Sequence, residues 1–390
     1  MTLILSYKNV FEYLLKQKLC TQSDKDLNQV DLKVAKNFNL LLSLQDGRKL
    51  LVKQERHDQE GRTAGEFLNE WRIQDFLQQF SELSYIRPLL SEILHLNAND
   101  SVIVFNYLNN YSDLANFYTK ENIYPTAIAT SIGATLATIH RATFNRQEYQ
   151  EFFSHNSEGV GIEQTPKFLR GLERISPEVF GQVPADGLKF FALYQRYDSL
   201  GKAIAELATA FEACCLTHND LKLNNILLHN DWEQTISQAE QSNHSIIRLI
   251  DWERGAWGDP AFDLGMLIAS YLQFWLGSLV VSKAIDIEES LRLAMTPLEM
   301  IQPSIAALTQ AYLSNFPEIL EHRPDFLRRL VQFSGLALIQ QIQAMLQYQK
   351  SFGNTGICML QVAKTLLIRP EQSISTVFGV AESELIHTNS

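Results

Sequence analysis

Leu216-Thr217-His218-Asn219-Asp220-Leu221-Lys222-Leu223-Asn224-Asn225-Ile226-Leu227-Leu228 is the stretch from which the rest of the chain can be read. It holds His-x-Asp, and then an Asn five residues after the Asp. An apolar run with strand character, Ile226 to Leu228, follows at once. A carboxylate and an amide oxygen thus sit one loop turn apart, with a rigid element to hold them.

A second run follows: Arg248-Leu249-Ile250-Asp251-Trp252-Glu253, then Gly258-Asp259-Pro260-Ala261-Phe262-Asp263-Leu264-Gly265. Hydrophobic residues run into an acidic one, as a strand does when it ends in a metal ligand. Taken alone, this is a strand end, a Gly-Asp-Pro turn and an Asp helix cap. Asp251 lies 31 residues after Asp220, and the earlier motif gives it more weight. His-x-Asp with Asn at that spacing is the catalytic-loop pattern of kinases. There a carboxylate must reach the substrate hydroxyl, and an amide oxygen must reach a Mg²⁺ on the nucleotide phosphates.

The chain has 390 residues, enough for two lobes and a large core. Hydrophobic residues make up 46% and charged residues 20%, as in an ordinary globular protein. Net charge is −11, which argues against a nucleic-acid partner, whose phosphates need a basic face. Cys20, Cys214, Cys215 and Cys358 show no metal-ligand spacing. Reduced thiols in a cytoplasmic setting are expected. The N-terminus has no long apolar run after a basic start, so no signal peptide is read there. Leu264 to Val281 is 18 residues without a charge, the lower bound for a spanning helix. It carries Ser270, Gln273, Gly277 and Ser278, and starts one residue after Asp263, so a buried core helix is expected and no membrane contact.

Along the chain, residues 5–30 read as a helical lead-in. Val30 to Leu44 reads as two strands meeting near Lys36-Asn37, and Asp46-Gly47 is a hairpin signal. The next strand ends in Lys53. Lysines at strand ends are common on solvated faces; the order of elements is what singles out Lys53, since a kinase keeps its phosphate-pairing lysine on such a strand. Ala64 to Phe80 reads as a helix with Phe67, Trp71, Ile73, Phe76 and Leu77 at helical spacing. Glu66 and Glu70 lie on one face. One should pair with Lys53, Glu70 being preferred. Ser101 to Phe105 is a strand running into the polar turn Asn106-Tyr107-Leu108, where a hinge bearing the adenine edge would fall.

Thr126 to Phe144 reads as an amphipathic helix with His140 at its end, a packed or capping histidine rather than a catalyst. Residues 145–185, with recurrent Gly and Pro, read as a loop-rich insertion, and 186–213 as helix. The strand Ile226–His229 should pair with Ser245–Ile250, leaving 230–244 as a polar excursion without pattern. From 284 onward the chain reads as almost all helix.

Together these segments resemble the aminoglycoside phosphotransferase and choline kinase superfamily over residues 30–270. The resemblance implies an α+β, two-lobed, protein-kinase-like fold. Residues 1–107 would be a small N-lobe of antiparallel sheet plus helix, and 108–390 a large, mostly helical C-lobe. It implies ATP and Mg²⁺ as cofactors and a small hydroxylated acceptor: an amino alcohol, a sugar, a homoserine-like compound or an aminoglycoside. Asp220 would accept or orient the acceptor proton. Asn225 and Asp251 would hold Mg²⁺ through oxygen. Lys53 would contact the phosphates and Glu70 would hold Lys53. Phe105, Asn106, Tyr107 and Leu108 would line the adenine pocket. His218 and Asp263 would brace the loop. Lys222 could touch the transferred phosphate, and is equally a surface lysine.

The sequence departs from the family in one respect. Lys36-Asn37-Phe38-Asn39 has no glycine where many kinases cover the phosphates with a glycine-rich loop. That disfavours a cradle of closely approaching backbone amides, and Asn39 is a candidate side-chain substitute. Asn219 inside His-x-Asp is more like choline kinases than antibiotic kinases. No Ala-Pro-Glu motif follows Asp251, which points away from protein kinases. The competing reading is a kinase-fold protein of weak or no activity with a nucleotide-binding or regulatory role. Glu288, Glu289, Glu299, Glu318 and Glu321 are candidates for a cation site, although such glutamates are more often just a solvated helix face. A monomer or homodimer is expected.

Overall fold

The computed structural model describes residues 3–27, 29–33, 36–58, 60–155, 185–238, 245–280 and 285–386. The chain forms two compact units, one of residues 1–114 with 224–255, the other of 115–223 with 256–390.

The first unit is built on a five-stranded antiparallel sheet. Its strands are β1 (Val30–Lys33), β2 (Phe38–Ser43), β3 (Lys49–Gln54), β4 (Ile93–Asn97) and β5 (Val102–Tyr107), in spatial order β1-β2-β3-β5-β4. Alternating side chains face opposite ways along each strand, and the sequence uses both faces. Leu40, Leu42, Leu50, Val52, Val102 and Val104 pack with Val10, Phe11 and Leu14 of helix α1 (Val10–Lys16). On the opposite side, Leu51, Ile103 and Phe105 pack with Phe67 and Trp71. The hairpin read at Asp46-Gly47 joins β2 to β3, with Gly47 at φ 85°.

A short helix, α2 (Gln22–Leu27), precedes the sheet. The third, α3 (Glu66–Gln79), starts after Gly65, whose φ of 76° glycine adopts without strain. Its first turn has no cap from its own N-cap residue. Glu55 supplies one instead, its carboxylate accepting from Gly65 N at 3.0 Å and Phe67 N at 2.6 Å.

A second sheet in this unit joins β6 (Tyr111–Asp113), the strand Ile226–His229 and the strand Ile247–Leu249, all antiparallel. The expected pairing of Ile226–His229 with the later segment is present, Ile226 lying opposite Leu249. The intervening excursion is not structureless: Trp232–Gln238 is a helix. Only Trp232 and Ile236 mark it, four apart, too few to register as a pattern. The rest of the excursion, 239–244, lies outside the described residues.

The second unit is mainly helical. The expected helix over 126–144 runs Thr126–Thr143, and packs on the helix Leu298–Asn315 so closely that a Cβ on Gly133 would lie 2.1 Å from the Leu308 carbonyl oxygen. The uncharged segment forms the helix Pro260–Ser278, with Leu264, Leu267, Ile268 and Leu272 buried. Among the described residues no helix is long and apolar enough to cross a membrane. Two sequence readings need correction. The span 186–213 is two helices, Ala185–Tyr194 and Asp198–Thr209, separated at 195–197. The insertion over 145–185 begins with a helix, Gln147–His155, and 156–184 lie outside the described residues.

Candidate active site

The first unit contains a cavity of about 180 Å³. Alternation along the sheet puts Leu51 and Lys53 of β3 on one face, and Leu51 pairs with Phe105 of β5 on that same face. The cavity is lined by all six residues singled out for nucleotide contact: Lys53, Glu70, Phe105, Asn106, Tyr107 and Leu108. Asp251 lines it too. Sequence reasoning missed Ser91, Tyr111, Ser112, Asp113, Leu227 and Ile250, which with Leu51 complete the wall. The run Ile226 to Leu228 carried a signal for Leu227, because Ile226 and Leu228 are buried and alternation sends Leu227 the other way. The three-residue strand at Tyr111 carried none.

Lys53 is nearly buried, with its ammonium 5.0 Å from the centre of the Phe105 ring. Burial works against its charge, but Asp251, then Glu70 and Glu253, outweigh that and raise its pKa. Its ion-pair partner is Asp251, not the expected Glu70. The physical reason lies in Glu70 itself. Burial pushes its pKa up to about 7, helped by the charges of Asp251 and Glu253 and opposed by Lys53. A carboxyl so easily protonated is the weaker partner. Its Oε1 accepts from Trp252 N at 3.4 Å, and its Oε2 has no partner among the described residues. Glu66, the runner-up, pairs with Lys36.

Asp251 follows the strand Ile247–Leu249 and has φ 60°, a conformation asparagine and aspartate tolerate better than most residues. Buried Trp252 anchors the turn, its indole donating to Leu249 O at 3.2 Å. Asn69 of α3 donates to the carbonyls of Glu253 and Gly255 at 2.9 and 3.0 Å, tying α3 to the same turn. Asn225 lies beside it in sheet register: its carbonyl accepts from Ile250 N at 3.0 Å. Asn225 is not part of the cavity wall.

Among the described residues no three His, Cys, Asp or Glu side chains form a group that could hold a metal alone. The donor chemistry still suits Mg²⁺, which takes one or two protein oxygens and completes its shell with phosphate and water. Asp251, Glu253 and Glu70 crowd negative charge around Lys53, and Glu253 is itself raised in pKa, by burial first and then by Glu66. A hard cation would relieve that crowding.

Asp220, His218 and Asp263 belong to the second unit. Asp263 holds the loop's backbone: its two oxygens accept from His218 N at 2.6 Å and Asn219 N at 2.8 Å. Asn219 has φ 59°. Buried His140 is 3.3 Å from Asp263 through Nε2 and 2.9 Å from the Tyr312 hydroxyl through Nδ1. It is packed inside, and it touches the brace, which its sequence position did not disclose. Asp220 accepts from the Lys222 ammonium at 3.1 Å. The Gly-Asp-Pro turn is a structural device. Asp259 caps the helix Pro260–Ser278 through Ala261 N at 3.0 Å and meets buried Arg323 at 2.5 Å.

The chain belongs to the phosphotransferase enzyme family, whose sequence model matches residues 35–292. It is a kinase of the kind that phosphorylates hydroxyl groups of small molecules. Among solved structures it resembles the ADP-bound aminoglycoside phosphotransferase APH(2'')-Ib, at 16% identity and TM-score 0.51, covering 92% of this chain and 99% of the other. It also resembles the amicoumacin kinase hAmiN in complex with AMP-PNP, Ca2+ and Ami, at 14% identity and TM-score 0.50, covering 91% and 92%. A choline/ethanolamine kinase family protein from Mesorhizobium loti aligns at 16% identity and TM-score 0.48, covering 90% and 93%. The fold is thus kinase-like, α+β, with an antiparallel sheet in the N-terminal part and helices in the C-terminal part. No curated protein matches the chain.

Proposed function

We propose that this enzyme moves the γ-phosphate of ATP to a hydroxyl of a small metabolite. The observation that carries this is the cavity beneath the β3–β5 face, which gathers all six candidate nucleotide contacts around a lysine held by Asp251. Phe105 to Leu108 receive the adenine end. Lys53 contacts the phosphates, and Glu70 is the second carboxylate within its field.

Asn225 and Asp251 would hold Mg²⁺, which when bound supplies charge neutralisation on the phosphates. In the reaction the acceptor oxygen forms a bond to the γ-phosphorus. The bond from that phosphorus to the β–γ bridging oxygen breaks, leaving ADP. The acceptor proton passes to Asp220. Asp263 and His218 keep the loop in shape and do not meet substrate. The acceptor is an amino alcohol, sugar, homoserine-like compound or aminoglycoside. The setting is cytoplasmic, consistent with cysteines that are free.

A panel of hydroxylated metabolites incubated with Mg·ATP, read by mass, tests this. Gain of one phosphate on a panel member, abolished by Asp220→Asn, is the expected result. The glycine-free loop favours a second reading, a nucleotide-binding protein without turnover. It predicts ATP-dependent thermal stabilisation with no transfer to any acceptor. Absence of any nucleotide effect on stability at saturating ATP would end both readings.

A further inference from the structure

The second unit holds a cavity of about 380 Å³ that shares no residue with the site described above. It opens between the C-terminal half of the helix Pro260–Ser278, the start of the helix Leu298–Asn315, and the helices Asn354–Ile368 and Pro370–Phe378. On the first of these helices its wall is Leu272 and Trp275, 9 and 12 positions after Asp263. At a rise of 1.5 Å per residue that is roughly 14–18 Å along the helix from the side chain that holds the His-x-Asp turn.

The same helices pack tightly elsewhere. A Cβ on Gly265 would lie 2.7 Å from that of Phe333, and one on Gly335 would lie 2.8 Å from the Ala363 carbonyl oxygen. Interiors of that density leave few voids larger than a water molecule. An opening above about 300 Å³ has the size of a small-molecule site. Its lining has the composition of one as well. Leu272, Trp275, Leu298, Val362, Leu366 and Val377 are apolar, and a few polar side chains stand among them.

Arg369 decides the charge of the ligand. It is an exposed cation in the wall, and among the described residues no acidic side chain lines the cavity. Its guanidinium has no partner among the described residues. The neighbouring charges are engaged elsewhere: Glu371 pairs with Arg328 at 3.0 Å, and the Lys364 ammonium lies 3.7 Å from the centre of the Tyr197 ring. A guanidinium offers parallel N–H donors that match a carboxylate. One such group balances one negative charge, where a phosphate ester would bring about −1.5 to −2.

We infer that this cavity binds a small amphipathic monocarboxylate, its apolar body against Trp275 and Leu366 and its carboxylate on the Arg369 guanidinium. Such binding requires neither ATP nor an acceptor, so the inference is independent of the proposed reaction.

Calorimetric titration of the full chain with octanoate, and separately with 1-octanol, which keeps the tail and lacks the charge, tests it. The wild type should bind octanoate at least about tenfold more tightly than 1-octanol. Arg369→Gln, a change at an exposed side chain, should weaken octanoate about tenfold and leave 1-octanol unchanged. Thr365→Trp, at an exposed position of the wall, should fill the cavity and remove binding of both. Saturating Mg·ATP should leave the octanoate affinity of the wild type within about twofold, since the nucleotide cavity is a separate one. A wild type that does not bind octanoate, equal affinity for the two probes, indifference of octanoate to Arg369→Gln, binding that survives in folded Thr365→Trp, or competition by Mg·ATP would each overturn the inference. If Thr365→Trp does not melt cooperatively, the two probes on Arg369→Gln decide.

Discussion

Lys53 and Asp251, 198 positions apart in sequence, are joined as an ion pair, and Glu70 stands next to them with one oxygen unpartnered among the described residues. Asp251→Asn leaves the Lys53 ammonium, nearly buried, without its carboxylate. Asp251 is itself about a third exposed, so solvent screens part of the loss. A stability cost of about 1–2 kcal/mol is expected in urea unfolding. The kcat should fall at least about a hundredfold, because on the proposed function the variant also lacks a charged oxygen for the metal.

Glu70 makes stability depend on pH with a definite sign. Its carboxyl titrates near 7 in the folded chain, against an ordinary value of 4.5. The folded state thus binds the proton more tightly than the unfolded state. Its contribution is fully present below pH 4.5 and is lost as pH rises through 7. Glu70→Gln removes this dependence. The variant's urea midpoint should gain on the wild type steadily between about pH 5 and 8. A difference that stays constant across that range would contradict the assignment.

Asp220→Asn keeps the size of the side chain and removes its basicity. Turnover should drop about 10²–10⁴-fold while the affinity for Mg·ATP stays within about twofold of the wild type. A parallel loss of ATP affinity would move Asp220 from proton handling to nucleotide binding. Single-turnover assays with direct ATP titration separate the two.

Two glycines predict opposite outcomes for the same substitution. Gly133→Ala drives a methyl into the Leu308 carbonyl at 2.1 Å, where backbone must move, and should cost about 2–3 kcal/mol. Gly277→Ala, near the end of the helix Pro260–Ser278 with nothing within 4 Å among the described residues, should stabilise by about 0.5 kcal/mol. Thermal denaturation of the two variants side by side checks the pair.

Much of this was legible in the sequence where chemistry fixes spacing. Asp220 to Asn225, Asp251 to Asp263 and the strand carrying Lys53 could be located because those residue types stand at a fixed spacing and in a fixed order of elements. The sheet was legible because Leu40, Leu42, Leu50 and Val52 alternate with residues of the other face. Long-range pairings were harder to read. Nothing in the spacing says that Lys53 prefers Asp251 to Glu70, since that depends on how deeply Glu70 is buried. The cap that Glu55 gives to α3 was equally silent, as it comes from outside the helix. The helix Trp232–Gln238 escaped because two half-buried residues four apart form no stripe.

Asp263 has both its oxygens committed, one to a single amide and the other shared between an amide and His140. Such a residue has no spare valence with which to accommodate change. Lengthening it by a methylene, mild by any chemical yardstick, would shift two consecutive peptide planes at once. The least tolerant position around the His-x-Asp turn is then the one that holds two of its amides, and its fidelity is inherited from a histidine and a tyrosine deep in the helical interior.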